Sequence, residues 1–172
     1  MGNRAVVIFT TEDEKEISPC TYLQWNGGPE SIYPFLAEMD RRKLRLDRPD
    51  SDAPRFCQIV GDFFDADKFS TYSLYASNGP TEITAEAVKA VADIGDNGVY
   101  VVCRSKALRV RRFNTEYPKD KGGKVGYDKP QFREASARTV AAEKKAADAH
   151  ENKDGIAETF LKIGGGRTAD GE

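Results

Sequence analysis

Before Phe113 the apolar positions change period several times, and each change marks an element. "RAVVIF", Arg4 to Phe9, is a short β-branched run that predicts a strand. The polar "TTEDEKEISP" turns the chain, and "CTYLQW", Cys20 to Trp25, predicts a second strand antiparallel to the first. Alternation puts Leu23 and Trp25 on the expected core side of that strand and Tyr22 and Gln24 on the other. Beyond Asn26-Gly27-Gly28 the period lengthens. Ile32, Phe35, Leu36 and Met39 fall at i, i+3, i+4 and i+7, one face of a helix. Ser31 as N-cap would make Pro34 the third helical residue, where its missing N–H has no intrahelical partner to lose, and Arg41 to Lys43 close the last turn.

In "SDAPRFCQIVGDFFDAD", Asp52 is the expected N-cap and Pro54 falls in the first turn. Phe56, Ile59, Val60, Phe63 and Phe64 then form one apolar stripe, the expected centre of the core. "FSTYSLYA", Phe69 to Ala76, alternates as a strand and "SNGP" closes it. Thr84 caps a short helix that turns Ala85, Val88, Val91 and Ala92 inward. "DNGVYVVCRSKALRVRRF" predicts two strands, Val99 to Arg104 and Leu108 to Phe113, joined by Ser105-Lys106-Ala107. The order ββααβαββ predicts an α+β body with a small antiparallel or mixed sheet and helices packed on one face.

The residues after Phe113 are different in kind. "NTEYPKDKGGKVGYDKPQ" is rich in Gly, Pro and Lys without periodicity and reads as a linker or arm. "FREASARTVAAEKKAADAHENK" has strong helix propensity but only Phe132, Val140 and alanines to bury. Ile156, Phe160 and Ile163 form a small apolar face that suits docking on the body, on another copy or on a target, and "GGGRTADGE" reads as a frayed end. The expected division is therefore an α+β body over 1–116, able to fold alone, and a polar helical or mobile tail over 117–172.

Charge sharpens that division. Residues 1–103 carry 10 Lys/Arg against 17 Asp/Glu, residues 104–145 carry 13 against 5, and residues 146–172 carry 3 against 6. An acidic body followed by a basic stretch can associate with itself or offer separate patches to partners. No run approaches the ~18 apolar residues of a membrane span. The first residues are too short an apolar run for a signal peptide, and Val6 stands where an N-myristoylation signal has Ser or Thr, so the expected compartment is the cytoplasm and no membrane is expected as a partner.

Candidate chemistry is reached mostly by exclusion. Cys20, Cys57 and Cys103 are odd in number, widely spaced and without a nearby His, which suggests neither a disulfide framework nor a zinc site. His150, the only histidine, lies in the tail, so no catalytic arrangement built on histidine can be assembled from the body. Asp62, Asp65 and Asp67 lack the glycine turn and terminal Glu of a calcium loop and read as a solvated helix end. No catalytic residue, cofactor or metal is expected. Asn26-Gly27-Gly28 invites comparison with a phosphate loop, but it has neither the Lys-Ser/Thr of a Walker loop nor a third glycine, and two glycines with positive φ at a sharp corner explain it more simply. Trp25, Tyr22 and Tyr33, beside that corner, have faces on which a base can stack if exposed.

"TYLQWNGGPESIYPFL", "RFCQIVGDFF" and "DNGVYVV" together resemble the blocks "YLxWNGG…FL", "R…QVIGNFF" and "DNGVYxx" of a family of small uncharacterised bacterial proteins found in phages, plasmids and integrated elements. The resemblance spans about residues 3–113 and leaves out the tail and the enlarged "DADKFSTYSLYASNGPTEIT". It implies a mobile-element setting and carries over no functional residues.

Two functions lead on these grounds, with an enzyme third. The first is a non-enzymatic protein-binding accessory protein, an inhibitor of host defence of the anti-CRISPR or anti-restriction type, whose acidic body would face a nucleic-acid-handling defence complex. The second is a nucleic-acid binder that uses the basic 104–145 stretch, with Arg104, Arg109, Arg111, Arg112 and the lysines of the arm making phosphate contacts. The candidate binding surface is Trp25, Asn26, Gly27, Gly28 and Tyr33 with those four arginines, and self-association would run through the tail.

Overall fold

The computed structural model describes residues 3–43, 45, 48–66, 74–91, 96–118, 122–127 and 130–165. The strands are β1 (Ala5–Thr10), β2 (Cys20–Leu23), β3 (Leu74–Ser77), β4 (Val99–Arg104), β5 (Leu108–Glu116) and β6 (Gln131–Glu134). The helices are α1 (Pro29–Arg41), α2 (Pro49–Ala66), α3 (Ala85–Val91), α4 (Ala137–Asp148) and α5 (Glu151–Gly165). The class is α+β. One six-stranded sheet runs β3-β2-β1-β4-β5-β6. β1 and β4 pair in parallel, Val6 opposite Val99 through Thr10 opposite Cys103, and every other neighbour is antiparallel.

Both β1 and β4 are buried along their whole length, as central strands covered on both faces must be. Val7, Phe9, Tyr100 and Val102 meet Phe35, Phe56, Ile59 and Phe63 of α1 and α2 on one face. Val6, Ile8, Val99 and Val101 meet Ile83 and Val88 on the other, beside the short α3. The long helices thus share one face, and the second face is closed by α3 and the segment before it. Ala87 N–H donates to Thr84 Oγ1 at 3.2 Å, the predicted cap of α3. Residues 67–73, which hold most of the predicted strand Phe69–Ala76, and Ala92 of the predicted α3 face lie outside the described residues.

Both long helices begin earlier than their apolar stripes suggest. α1 starts at Pro29 on an N-cap of Gly28, whose carbonyl accepts from Ser31 and Ile32 N–H at 3.0 and 2.9 Å, so Ser31 is not the cap and Pro34 lies inside. α2 starts at Pro49, so Asp52 is not its cap either, and Pro54 lies inside. The shared cause is a proline at the first helical position, where its fixed φ suits the helix and its missing N–H loses nothing. Each internal proline deprives one carbonyl, that of Glu30 or Asp50, of its intrahelical donor. Pro34 is half-buried and Pro54 exposed, so solvent can reach that side.

The tail is part of the same core. β6 pairs with β5, Phe113 opposite Glu134 through Glu116 opposite Gln131, and Phe132 stacks on Phe113 with centroids 6.1 Å apart. Phe132 is therefore a strand residue and not the start of a helix. α4 begins at Ser136, whose Oγ accepts from Thr139 N–H at 3.2 Å. In α5, Ile156 and Phe160 are almost fully buried, and the Phe160 ring lies 6.3 Å from Phe35 and 6.1 Å from Phe63. The apolar face predicted at Ile156, Phe160 and Ile163 docks on the body, and the boundary drawn at residue 116 cuts through one sheet and one core.

Candidate functional site

Strand alternation sorts the four candidate arginines. β4 and β5 pair with Tyr100 opposite Arg112 and Cys103 opposite Arg109, so Arg104 and Arg112 project to the helix-covered face and Arg109 and Arg111 to the other. Arg104 is buried. Its Nη1 donates to Asp52 Oδ1 at 2.5 Å and to the Arg45 carbonyl at 3.3 Å, and its Nη2 donates to Asp40 Oδ1 at 2.9 Å. The bonds to Asp40 and Asp52 tie the end of β4 to both α1 and α2. Burial pushes the Asp52 carboxyl above its ordinary value against the opposing pull of Arg104. Asp52 looks like a cap in the sequence because it precedes an apolar run, and it is instead the buried counter-ion of Arg104.

Arg112 is buried as well, with its guanidinium 3.5 Å from the centroid of the Tyr100 ring and its Nε donating to Glu143 Oε2 at 3.0 Å. Tyr100 Oη in turn donates to the Gly27 carbonyl at 3.0 Å. A chain of contacts therefore runs from α4 through β5 and β4 to the corner before α1. Burial raises the phenol of Tyr100 far above its ordinary value, so it stays a neutral donor.

Arg109 and Arg111 stand at the rim. Arg109 pairs with Glu12 at 3.0 Å and reaches Cys103 Sγ at 3.7 Å. Arg111 pairs with Glu14 at 2.5 Å and Glu134 at 2.6 Å. The arrangement leaves none of the four arginines free to meet a phosphate without first giving up a carboxylate. Their partners Glu12 and Glu14 belong to the β1–β2 connection, where Glu12, Asp13, Glu14 and Glu16 surround a single Lys15. That loop is braced by Thr11 Oγ1 donating to Asp13 Oδ1 at 2.8 Å, Glu16 N–H donating to Thr11 Oγ1 at 3.2 Å, and a backbone bond from Thr11 N–H to the Glu16 carbonyl at 3.1 Å. It holds Glu14 at φ 56, which a side chain adopts only when its neighbours fix it. Hydrogen bonds from Lys15 and Thr11 lower the Asp13 carboxyl to about 2, so the loop keeps its negative charge.

The corner differs from its expected geometry. Neither Gly27 nor Gly28 has a positive φ, and the left-handed residue is Asn26 at φ 57. Gly27 is needed for close approach, since a Cβ there would lie 2.6 Å from Ala5 N, and its own N–H is used by the Asn3 carbonyl at 2.8 Å. At Gly28 a Cβ would meet the Glu30 carboxylate, which folds back over the helix start and fills with negative charge the place an anion would take. Trp25 lies outside β2 and is 41% exposed, while Tyr22 and Tyr33 are buried, so the three do not form one stacking surface. Trp25 stands two residues beyond Leu23, the end of β2, so alternation no longer carries it to the core side expected for it.

Tyr33 lines a cleft of about 470 Å³ together with Thr10, Glu12 and Glu14 on one side, Leu108 to Arg111 in the middle, and Ala137, Val140, Ala141 and Lys144 of α4 on the other. Its hydroxyl is buried and has no hydrogen-bond partner among the described residues, and burial raises its pKa. Leu108, Val110, Val140 and Ala141 are absent from the sequence-based candidates. Their alternation is visible in the sequence, but that β6 covers only one end of β5 is not.

Among the described residues, no group of three His, Cys, Asp or Glu is placed to hold a metal ion. Asp62 pairs with Arg42 at 2.7 Å, and the Asp65 side chain and Asp67 lie outside what is described. The three cysteines are free. Burial pushes the Cys20 thiol up to about 11 and raises that of Cys57. Among the described residues no helix is long and apolar enough to cross a membrane. No family model matches the chain, and no curated protein or solved structure is similar enough to match it.

Proposed function

We propose that this chain is a non-enzymatic protein-binding accessory protein of a mobile element, acting in the cytoplasm as an inhibitor of a host defence complex. The observation that carries the preference for a protein partner is the fate of the basic run. Arg104 and Arg112 are buried ion-pair partners, and Arg109 and Arg111 are neutralised by Glu12, Glu14 and Glu134. A polyanion gains affinity from cations that are free to displace its counterions, and these are not. What the rim presents outward is an acidic loop, which suits a protein with a basic face. The mobile-element setting is supported by the sequence blocks at 21–36, 55–64 and 96–102, and the defence target by the acidic body, which offers a surface that nucleic-acid-handling complexes recognise.

The test is a paired measurement on the full chain. Immobilised protein is expected to retain a specific partner from nuclease-treated host lysate, while duplex and single-stranded DNA bind weakly and let go near physiological salt. Sub-micromolar DNA binding at that salt, lost when Arg109, Arg111 and Arg112 are together replaced by Ala, would put the nucleic-acid reading first.

A further inference from the structure

We infer that the open edge of β5 is a strand-addition site, which takes an extended segment of another protein with apolar residues alternating with basic ones. This rests on the protein-binding reading and names the surface and the chemistry of the partner. In an antiparallel pair, residues alternate between those that exchange hydrogen bonds with the neighbouring strand and those whose N–H and C=O point away from it. Ala135 N–H donates to the Arg112 carbonyl at 2.8 Å, which fixes the even-numbered residues of β5 as those that point away from β4. β6 uses this edge only from Phe113 to Glu116, after which the chain turns at Ser136 into α4. The N–H and C=O of Leu108 and Val110 therefore face outward beyond the end of β6, and among the described residues no strand pairs with them.

The cleft lies along this edge. It is lined by Leu108 and Val110 from one face of β5 and by Arg109 and Arg111, with Val101 and Cys103 of β4, from the other, so it wraps the free edge of the strand. α4 is one wall and the braced acidic loop is the other. A strand laid between them would turn alternate side chains to the two walls. Those toward α4 meet Val110, Val140, Ala137 and Ala141, with Lys144 of the same helix beside them, and are apolar. Those toward the loop meet Glu12 and Glu14, paired with Arg109 and Arg111, on a loop where Glu12, Asp13, Glu14 and Glu16 stand against one Lys15, a surplus of negative charge that selects Lys or Arg. A second copy fits poorly, because antiparallel pairing of β5 with itself about Val110 sets Arg109 of one chain against Arg111 of the other.

The probe is a short synthetic peptide of alternating lysine and valine, titrated into the full-length protein and followed by fluorescence anisotropy and by amide exchange. Binding is expected, with the amides of Leu108 and Val110 gaining protection. The same peptide with glutamate for lysine should bind at least about tenfold more weakly, as should the original peptide to Glu12→Lys. Ala141→Trp, on an exposed position that fills the cleft without touching the core, should abolish binding, and so should N-methylation of alternate peptide amides. Binding without protection at Leu108 and Val110, equal affinity for the glutamate peptide, or a concentration-dependent dimer that protects the same amides would each overturn the proposal. If Ala141→Trp retains the same lysate partner as the wild type, the strand-addition site is wrong while the protein-binding reading stands. If neither retains a partner and DNA binds at physiological salt, the reading beneath it fails.

Discussion

Arg104 and Arg112 stand in the same basic run as Arg109 and Arg111, yet the first two are 2% exposed and the side chains of the second two are 54% and 34% exposed. The difference follows from nothing more than strand alternation. The inward pair joins layers: Arg104 links β4 to α1 and α2, and Arg112 links β5 to α4. The outward pair joins β5 to surface carboxylates that water and salt can replace. A run that looks like one basic patch is thus two devices, one structural and one at a rim, and the two should separate cleanly under mutation.

The largest break in that comparison comes from removing the tail. Truncation after Glu116 takes Glu143 from Arg112 and strips Ile156 and Phe160 from Phe35 and Phe63, while Arg109 keeps Glu12 and Arg111 keeps Glu14. Losing one buried Phe already costs about 3–5 kcal/mol, a large part of a domain's stability. The truncated protein should lose its cooperative thermal transition and bind a hydrophobic dye. A cooperative melt near the full-length value would instead make the tail an accessory layer and Arg112 self-sufficient over Tyr100.

Next is the inward pair itself. Arg104→Ala leaves Asp52 buried without its cation and should cost about 3–5 kcal/mol in urea unfolding. In that variant the Asp52 carboxyl, already raised by burial, should rise further. A raised folded pKa means protonation favours the folded state, so the deficit should be full at neutral pH and shrink as pH falls. A loss under about 1 kcal/mol would place Arg104 with the rim arginines.

The inward and outward roles were unequally visible in the sequence. The strands β1, β2, β4 and β5, the stripes at Ile32 to Met39 and Phe56 to Phe64, and the apolar face of α5 were legible because burial imposes a period on the chain. Helix starts were not, because Pro29 and Pro49 begin their helices before any apolar residue reports the period. Arg104 and Asp52 were not, because an ion pair between residues far apart in sequence leaves no spacing to read. β6 was hidden because four residues in a stretch of strong helix propensity carry a strand by pairing with β5 alone. The candidate surface was assembled from both sides of the molecule's interior for the same reason: Gly27 and Arg112 do come together, but around Tyr100 in the core.

Smaller effects belong to the rim. A hydrogen bond from Arg111 holds the Glu134 carboxyl below its ordinary value of 4.5. A depressed folded pKa gives stability that is complete above the unfolded value and lost as pH falls through the folded one. Acidification from about pH 5 to about pH 3 should therefore loosen β6 from β5 at this end, and Glu134→Gln should remove that part of the pH dependence of melting. An unchanged acid profile in Glu134→Gln would mean that the rim pair adds nothing to the docking of β6.

The smallest expected change in stability is at Arg109, and it sharpens the comparison most. Its pair with Glu12 is more than half exposed on both sides, so the Coulomb gain is screened and offset by the cost of ordering two long side chains. Arg109→Ala should shift unfolding by no more than about 0.5 kcal/mol. Binding should respond in the opposite sense, because releasing Glu12 makes the acidic wall of the cleft more negative, and the lysine–valine peptide should bind about two- to threefold more tightly. Arg104→Ala, by contrast, should reduce binding only in proportion to the protein it unfolds. A loss of stability above about 1 kcal/mol in Arg109→Ala, or weaker peptide binding in a fully folded variant, would show that the rim arginines are structural after all and that alternation on β5 does not divide their roles.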